Sequence, residues 1–299
     1  QYTAECDGQI VLNNNILNVY KVYAVEGDVD YSSGNINFNG NVVIKGSVLS
    51  GFEVKAEGDI NIMKTIEGGT VSSGRDIKVM GGILGTESIQ CGRNLVAHHI
   101  QNSTVESQGD IYIEHSVLHS NLYSTGKVYI TNRKGSVIGG LTFALKGIEA
   151  RTVGSKFGTR TELNTGNDYV LKKKADEFQK VVDFCTANLE KIDKVLQPLL
   201  KIVKSGEQLS EENKSKFKMI MKKREELSNK QVRMEWKRRE LLKKGNKKNL
   251  NPQIKVSETV YPDVMIKILE KHMNIRKEYS RVKIYLDTKT EKITISKGT

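Results

Sequence analysis

Aromatic residues and proline are both scarce in this chain of 299 residues. Phe, Trp and Tyr together make up 6% of it, and there is a single Trp. This composition would supply the large mixed core of an ordinary enzyme only thinly. The chain has 3 Pro against 26 Gly, which excludes a disordered chain rich in both residues. The glycines must therefore serve an ordered structure.

Cysteine pairs and long apolar segments are also missing. Cys6, Cys91 and Cys185 lie far apart without a C-x-x-C motif, which argues against disulfides or a zinc site and predicts buried thiols in a reducing compartment. No apolar run approaches the roughly 18 residues that cross a bilayer, and no signal peptide opens the sequence. We expect a cytoplasmic protein with at most a peripheral contact with membranes. Because the first residue is Gln1, we also expect an excerpt that lacks a preceding domain.

Charge and glycine divide the chain into two parts. The formal net charge of +12 favours a polyanionic partner: nucleic acid, an anionic membrane surface or an acidic protein. Residues 1–165 carry 14 Lys/Arg against 16 Asp/Glu, a net charge of −2, together with 22 of the 26 glycines. Residues 166–299 carry 33 Lys/Arg against 19 Asp/Glu, a net charge of +14. The positive charge therefore belongs to the second part.

The first part is a repeat of short strands separated by glycine. A Gly, one or two polar residues and alternating apolar residues recur at nearly constant steps along the chain. The glycines that begin these units are Gly40, Gly58, Gly74, Gly92, Gly109 and Gly126, so the successive steps are 18, 16, 18, 17 and 17. Alternation with a period of two predicts strands of about five residues with one buried face, and glycine permits the sharp corners between them.

Steps of this regularity favour a β-solenoid over a β-sandwich, because a sandwich has no reason to repeat a corner glycine. Two or three strands in about 17 residues make one coil, and stacked coils share a narrow aliphatic core. A left-handed acyltransferase solenoid would need a strict step of six residues, which the variable steps contradict. We predict a parallel β-helix repeat domain over residues 1–165.

Residues 166–248 are predicted to form an antiparallel, coiled-coil helical hairpin. Apolar or small residues recur at alternating steps of 4 and 3 from Leu171 to Val203, which is the spacing of a coiled-coil seam. Pro198 should kink the first helix, residues 205–209 should form the turn, and Ser210 suits the N-cap of the second helix. The second seam contains Phe217, Ile220, Leu227, Met234 and Leu241, with Arg224, Gln231 and Arg238 at alternate positions.

Alternation returns after the hairpin, in residues 254–260, 264–269, 282–286 and 293–295. We expect residues 249–299 to form C-terminal strands that continue or cap the β-helix, so that the hairpin is an insertion between coils. The predicted fold class is mainly β with one α-helical insertion.

The phrases of the repeat resemble those of the flagellar assembly protein A family, which was long classed as a domain of unknown function. They are residues 25–30 (VEGDVD), 33–38 (SGNINF), 40–48 (GNVVIKGSV), 56–60 (AEGDI) and 134–140 (KGSVIGG). The returning strand at residues 260–266 (VYPDVMI) is also similar, although the family usually has glycine where this chain has Asp263. Together these phrases cover most of the chain in order.

The resemblance implies a right-handed parallel β-helix, bactofilin-like in style, that is interrupted by a coiled-coil hairpin. It also implies a bacterial, cytoplasmic scaffold that acts through protein–protein interaction in flagellar assembly or polar organisation, at the cell pole or the membrane periphery. It supplies no catalytic residues and no cofactor, so we expect a protein that is not an enzyme.

Histidine and aspartate are the candidates for metal or catalytic chemistry. His98 and His115 are one coil apart in the sequence, and Glu114 lies beside them. These are suitable metal ligands, but stacked like residues are common in β-helices, so we predict no metal site. We interpret the aspartates near corner glycines as acceptors of backbone N–H bonds, rather than as calcium ligands or the clustered carboxylates of a glycosidase. These are Asp28, Asp59, Asp76 and Asp110. Residues 133–136 lack the glycines of a phosphate loop.

Basic residues on the second helix form the candidate partner-binding site. Lysine recurs at every seventh position and one arginine joins the row: Lys216, Lys223, Lys230, Lys237, Arg238 and Lys244. A similar row on the first helix contains Lys173, Lys180, Lys194 and Lys201. Such rows are also typical of the solvated exterior of a coiled coil. Trp236, together with the polar seam residues Arg224 and Gln231, suggests a second partner for the hairpin.

We therefore predict a non-enzymatic scaffold whose β-helix presents a basic hairpin to acidic protein partners. Unpaired strand edges at the ends of the β-helix predict self-association into a homo-oligomer. Binding of nucleic acid or of an anionic membrane surface by the hairpin is the alternative, with nucleic acid disfavoured. A solenoid enzyme with a pocket near His98 and His115 is the remote alternative.

Overall fold

The computed structural model describes residues 8–13, 16–86, 88–204, 210–245 and 251–298. Two compact units make up the chain: Gln1–Tyr169 with Lys247–Thr299, and Val170–Asn246. The first unit is built of strands and the second of helices, so the fold is mainly β with a helical insertion, as predicted.

The strand unit contains 24 strands among the described residues, most of them three to nine residues long. Those before the helices are β1 (Gln9–Asn13), β2 (Ile16–Tyr20), β3 (Val22–Val25), β4 (Ile36–Phe38), β5 (Asn41–Ile44), β6 (Glu53–Ala56), β7 (Ile60–Ile62), β8 (Ile66–Glu67), β9 (Thr70–Ser73), β10 (Ile77–Leu84), β11 (Ile89–Cys91), β12 (Leu95–Gln101), β13 (Thr104–Ser107), β14 (Ile111–Ile113), β15 (Ser116–Ser124), β16 (Lys127–Ile130), β17 (Ser136–Ala144), β18 (Gly147–Val153) and β19 (Thr161–Thr165). Those after the helices are β20 (Gln253–Val260), β21 (Val264–Ile268), β22 (Lys271–Asn274), β23 (Tyr279–Asp287) and β24 (Lys292–Lys297).

Parallel pairing stacks these strands into three ladders, so each coil has three sides. The first ladder runs through β3, β5, β7, β10, β12, β14, β16, β18 and β20. The second ladder begins at the bridges of Val29 and Val48 and continues through β8 and the later halves of β10 and β12. It then passes through the first halves of β15 and β17 and ends at the later halves of β18 and β20. The third ladder runs through β4, β6, β9, β11, β13, β15, β17, β19 and β21.

The coil length confirms the predicted parallel β-solenoid. Register partners in the first ladder follow one another at nearly constant steps, and the last step before the helices is slightly longer. These partners are Val42, Ile60, Ile77, Leu95, Ile111, Val128 and Ile148. The longer step, from Val128 to Ile148, contains the loop between β16 and β17. The hand of the solenoid stays a prediction.

The core is a column of branched aliphatic side chains, with each coil adding one or two from every side. All seven first-ladder partners just given are fully buried, and Ile254 extends the same column after the helices. Burial of one such side chain contributes about 1.5–3 kcal/mol. A column this narrow has little room for rings, which explains the scarcity of aromatic residues.

A ladder of Asp and Asn side chains joins the coils at one corner. Each Oδ1 accepts a hydrogen bond from the backbone N–H of the equivalent residue one coil later, at 2.7–3.1 Å. The acceptors at the corner that leads into the first ladder are Asn41, Asp59, Asp76, Asn94 and Asp110. Asp28 accepts the same kind of bond from Ser47 at the next corner, just before the second ladder. The aspartates therefore accept backbone N–H bonds as predicted, and they do so between coils.

A second polar ladder lies at the same corner, where the third ladder ends, and includes a cysteine. Ser73, Cys91, Ser107 and Ser124 are register partners in the third ladder. Each donates its hydroxyl or thiol hydrogen to a backbone carbonyl oxygen of the preceding coil, at 2.5–3.1 Å. Cys91 and Cys185 are both buried, as predicted, while Cys6 lies outside the described residues.

The C-terminal strands both extend the solenoid and cover its last coil. β20 and β21 pair in parallel with β18 and β19 and so form one more coil. On their outer edges, β23 pairs antiparallel with β20, β22 pairs antiparallel with β21, and β24 follows β23. β22 has no counterpart among the predicted strands.

The helical unit is a pair of antiparallel helices, α1 (Tyr169–Lys204) and α2 (Glu211–Gly245). Contacts between them pair Phe178 with Lys237, Thr186 with Gln231 and Asp193 with Arg224, so the residue numbers run in opposite directions.

Ser210 caps α2 as predicted, since its Oγ accepts a hydrogen bond from the N–H of Asn213 at 3.3 Å. Helix α1 continues through Pro198. The kink there and the supercoil of the pair stay predictions, and the predicted turn at residues 205–209 lies outside the described residues. Neither helix, as far as it is described, is long and apolar enough to span a membrane.

Candidate functional site

Lysine at every seventh position of α2 forms a row along the rim of the helix pair. We call Lys216, Lys223, Lys230, Lys237 and Lys244 the lysine row. Each of the first four directly precedes a seam position, which places the row beside the contact with α1. Residues seven apart on one helix are about 10.5 Å apart along its axis. The row is therefore a line of evenly spaced positive charges.

Exposure divides the lysine row into two classes. Lys216, Lys223, Lys230 and Lys244 are exposed. Lys237 is half-buried, because its Nζ lies 5.8 Å from the centroid of the Phe178 ring on α1. The four exposed lysines are thus the members of the row that are open to a partner.

The exposed lysines have weak partners within the chain. Lys216 pairs with Glu212 at 2.5 Å, and the Nζ of Lys223 is 4.0 Å from Glu226. Exposed pairs of this kind contribute about 0.3–0.5 kcal/mol on a helix. Among the described residues, neither Lys230 nor Lys244 has an ion pair. An acidic partner would therefore displace little when it binds the row.

Arg238 occupies a different environment from the lysine row. Its Nε and Nη2 each bond a carboxylate oxygen of Glu235 at 3.1 Å, and Arg239 bonds the same carboxylate at 2.9 Å. These two guanidinium groups lower the pKa of Glu235. Arg238 is therefore paired within α2, and its contact with a partner stays a prediction. The spacing of three and four residues from Glu235 was the signal in the sequence.

The polar seam residues are also paired within the hairpin. Arg224 donates to Asp193 at 2.6 Å, which raises the pKa of Arg224, and Gln231 donates to the hydroxyl of Thr186 at 2.8 Å. Both polar side chains therefore have a partner on α1, and a second partner protein for the hairpin stays a prediction. Trp236 is 63% exposed and makes no hydrogen bond to the described part of the hairpin.

Most of the net charge of the chain lies on the two helices. Helix α2 has 13 Lys/Arg against six Glu, a net charge of +7, and α1 has eight Lys against five Asp/Glu, a net charge of +3. The whole chain carries +12. The helical unit is thus the electrostatically distinct part of the protein.

A second candidate site lies on the solenoid, at the corner between the first and second ladders. The rings of His98 and His115 stack with centroids 4.0 Å apart, as the spacing of one coil predicts, and His98 Nδ1 is 2.9 Å from Glu114 Oε2. The ligand atoms of these three residues all lie within 4.8 Å of one another. His119 does not belong to this cluster.

His99, which also belongs to the group of histidines that lie close together in the sequence, lies next to this cluster. A Cβ on Gly82, one coil earlier, would overlap the imidazole of His99, so the glycine makes room for the ring. Burial lowers the pKa of His99, and the neighbouring imidazoles of His98 and His115 lower it further. Three imidazoles are thus gathered at one corner.

Comparison with known proteins gives one result over most of the chain. The family model described as the Flagellar Assembly Protein A beta solenoid domain matches residues 21–293. No curated protein matches the chain, and no solved structure matches it. The match includes the solenoid, both helices and most of the C-terminal strands.

Proposed function

The chain belongs to the flagellar assembly protein A family, and from this premise we propose that it is a non-enzymatic scaffold whose lysine row binds an acidic protein surface. The family and the solenoid fold indicate a structural or assembly role. The proposal adds the interacting surface, the chemistry of the partner and the setting, which is flagellar assembly in the cytoplasm, at the cell pole or the membrane periphery.

The observation that carries the proposal is the exposure of four of the five lysines in the evenly spaced lysine row, on the most basic element of the chain. A net charge of +7 on α2 raises the local concentration of an anionic partner and steers its approach. The even spacing of about 10.5 Å matches acidic residues that recur every seventh position on a partner helix. The hairpin thus supplies both an extended surface and the charge that attracts a partner to it.

An acidic protein fits this surface better than nucleic acid does. Glu225 and Glu226 lie beside the lysine row and would repel a continuous line of phosphates. Two arginines that would contact phosphates, Arg238 and Arg239, already share Glu235. Discrete carboxylates on a protein are able to alternate with these acidic residues, whereas a phosphate backbone is not.

Binding of three probes to the full chain tests the proposal. The probes are a helical peptide with Glu at every seventh position, a 30-base-pair DNA duplex, and vesicles that contain phosphatidylglycerol. We expect the peptide to bind most tightly. The triple variant Lys216→Glu, Lys223→Glu, Lys230→Glu should weaken that binding roughly 10–100-fold, because each reversal loses one ion pair and adds one repulsion.

A matched control carries the same change of charge on the solenoid. Lys21, Lys78 and Lys146 are exposed there, and their joint substitution by Glu should leave peptide binding within about twofold. Tighter binding to DNA or to vesicles than to the peptide would contradict an acidic protein partner. Equal losses in the two triple variants would mean that net charge, rather than the lysine row, is responsible.

Self-association through the N-terminal end of the solenoid is the second part of the proposal. The last coil is covered by β22 and β23, whereas in the part of the chain that the structure describes β3 pairs with β5 alone. The nearby β1–β2 hairpin exposes apolar side chains of Ile10, Leu12, Ile16 and Leu17. On the edge of β3 that faces away from β5, the N–H of Ala24 donates to Gln9 Oε1 at 3.3 Å, so the exposed apolar patch is the feature that favours a second copy of the same chain.

Light scattering across a range of concentrations tests this association. We expect a dimer that dissociates in the variant Leu12→Asp and persists in Met80→Asp, which alters an exposed residue elsewhere on the solenoid. A monomer at all concentrations, or equal effects of the two variants, would contradict association through this end. The binding of the acidic peptide is measured separately, so the two parts of the proposal fail independently.

A further inference from the structure

The corner that gathers the histidines is held in register by backbone hydrogen bonds between two coils. The N–H of His115 donates to the carbonyl oxygen of His98 at 2.8 Å, and that of Glu114 donates to Ala97 at 3.1 Å. Residues at equivalent corner positions are therefore forced to be neighbours at the spacing of adjacent strands, about 4.8 Å. The cluster is a consequence of coil stacking, so its backbone is already ordered.

The side chains at this corner are a suitable set of metal ligands. Two imidazoles and one carboxylate suit divalent transition metals such as Zn²⁺, and three protein ligands leave one coordination position open. Their ligand atoms lie within 4.8 Å of one another, whereas bonds of about 2.0–2.1 Å to a tetrahedral ion place ligand atoms about 3.4 Å apart. The ligand atoms therefore have to approach one another slightly when an ion binds, and the Glu114 side chain is 57% exposed.

One ring nitrogen in the cluster has no hydrogen-bonding partner among the described residues, and a metal ion would give it a bond. His115 Nδ1 is buried, and no hydrogen-bonding partner for it is found among the described residues. Buried polar atoms in proteins are nearly always paired, because a lone one loses its bond to water without replacement. His98, by contrast, is paired with Glu114 on the exposed side of the corner. The cluster thus contains a buried ring nitrogen without a hydrogen-bonding partner among the described residues, close to an exposed carboxylate.

We propose that His98, Glu114 and His115 bind one divalent transition-metal ion across two adjacent coils, with the fourth coordination position open to water. This departs from the prediction of no metal site, which rested on the fact that stacked like residues are common in β-helices. Coil stacking here brings two imidazoles and a carboxylate, one coil apart in sequence, close enough to share one ion. The proposal is independent of the lysine row.

Calorimetric titration of the untagged full chain with Zn²⁺ tests this site. We expect one ion per chain. Each of the variants His98→Asn, His115→Asn and Glu114→Gln should weaken binding by more than about tenfold, since loss of even an outer-shell partner costs about 10–100-fold in affinity. Co²⁺ bound in place of Zn²⁺ should give the visible absorption bands of a tetrahedral site, and these should be absent from His98→Asn.

Control variants separate this site from adventitious binding. His272→Asn removes a histidine on β22, outside the cluster, and should leave the stoichiometry and affinity unchanged. If His115→Asn does not fold, as judged by circular dichroism, the more exposed residues His98 and Glu114 decide the question. The proposal is overturned if no ion binds at one equivalent, if these variants bind as tightly as the parent chain, or if His272→Asn causes the same loss.

Discussion

The ladder of Asp and Asn side chains predicts that Asp76→Ala destabilises the solenoid far more than Asp76→Asn does. Asp76 Oδ1 accepts a hydrogen bond from the N–H of Asn94 at 2.8 Å, and its own N–H donates to Asp59 Oδ1 at 3.1 Å. At the equivalent position one coil later, Asn94 accepts the same bond from the N–H of Asp110 with an amide oxygen. The ladder therefore requires an acceptor oxygen at this place and does not require a charge.

The magnitude follows from the two interactions that the Asp76 side chain makes. A carboxylate that accepts an N–H bond contributes about 1.5–3 kcal/mol, and the lower end applies here because the side chain is 37% exposed. The pair with Arg93 at 3.2 Å is mostly exposed and adds no more than about 0.5 kcal/mol. Asn keeps a neutral bond of about 1 kcal/mol. We expect losses of about 2 kcal/mol for Asp76→Ala and at most about 1 kcal/mol for Asp76→Asn.

Urea denaturation of the two variants measures these losses, and hydrogen exchange at the Asn94 amide locates them. In Asp76→Ala this amide should exchange roughly 30-fold faster, which corresponds to about 2 kcal/mol. Equal destabilisation by Ala and Asn would refute the reasoning, because it would assign the effect to the negative charge beside Arg93. An unchanged exchange rate at Asn94 would refute it as well.

Three further predictions concern packing and pairing. Cys91→Ser should be nearly neutral at pH 7, because serine occupies the same position in neighbouring coils. Burial raises the pKa of the Cys91 thiol to about 11, above its value of about 9 in the unfolded chain. The parent chain should therefore lose more stability than Cys91→Ser between pH 9 and 11, in urea titrations at each pH, and parallel curves would contradict this. Gly82→Ala should cost about 1–3 kcal/mol through its clash with the His99 ring, and His99→Ala should relieve the clash in a double-mutant cycle. Additive effects would contradict the contact. Arg224→Ala should cost less than about 1 kcal/mol in thermal unfolding, since both it and Asp193 are almost half exposed, and a larger loss would mean that the pair holds the hairpin together.

The repeat made the solenoid predictable, because glycine steps and alternating residues depend only on local geometry. The same locality explains why the burial of Cys185 on α1 was predicted. Strand direction was not predictable in the C-terminal part, since alternation is identical in parallel and antiparallel strands. β22 was missed because Lys271–Asn274 is too short and polar to show alternation.

The candidate sites were less predictable than the solenoid, because they depend on side-chain contacts that sequence spacing reveals only in part. The stacking of His98 on His115 followed from the coil length, but the space that Gly82 leaves for His99 required the three-dimensional register. The seven-residue step predicted the lysine row. It did not predict that Arg238 and Arg239 both bond Glu235. The contacts of Arg224 with Asp193 and of Gln231 with Thr186 were not predicted, because these partners on α1 are distant in sequence.

Photo-crosslinking in cells tests the central claim most directly. A photoreactive residue replaces Lys230 on the lysine row or, as the control, Lys78 on the solenoid, and the adducts are identified by mass spectrometry. The account predicts a protein adduct at position 230, mapped to an acidic surface of the partner, which disappears when Lys216 and Lys223 are changed to Glu. Adducts with nucleic acid, or the same adducts at positions 230 and 78, would contradict a scaffold that binds acidic proteins through its hairpin.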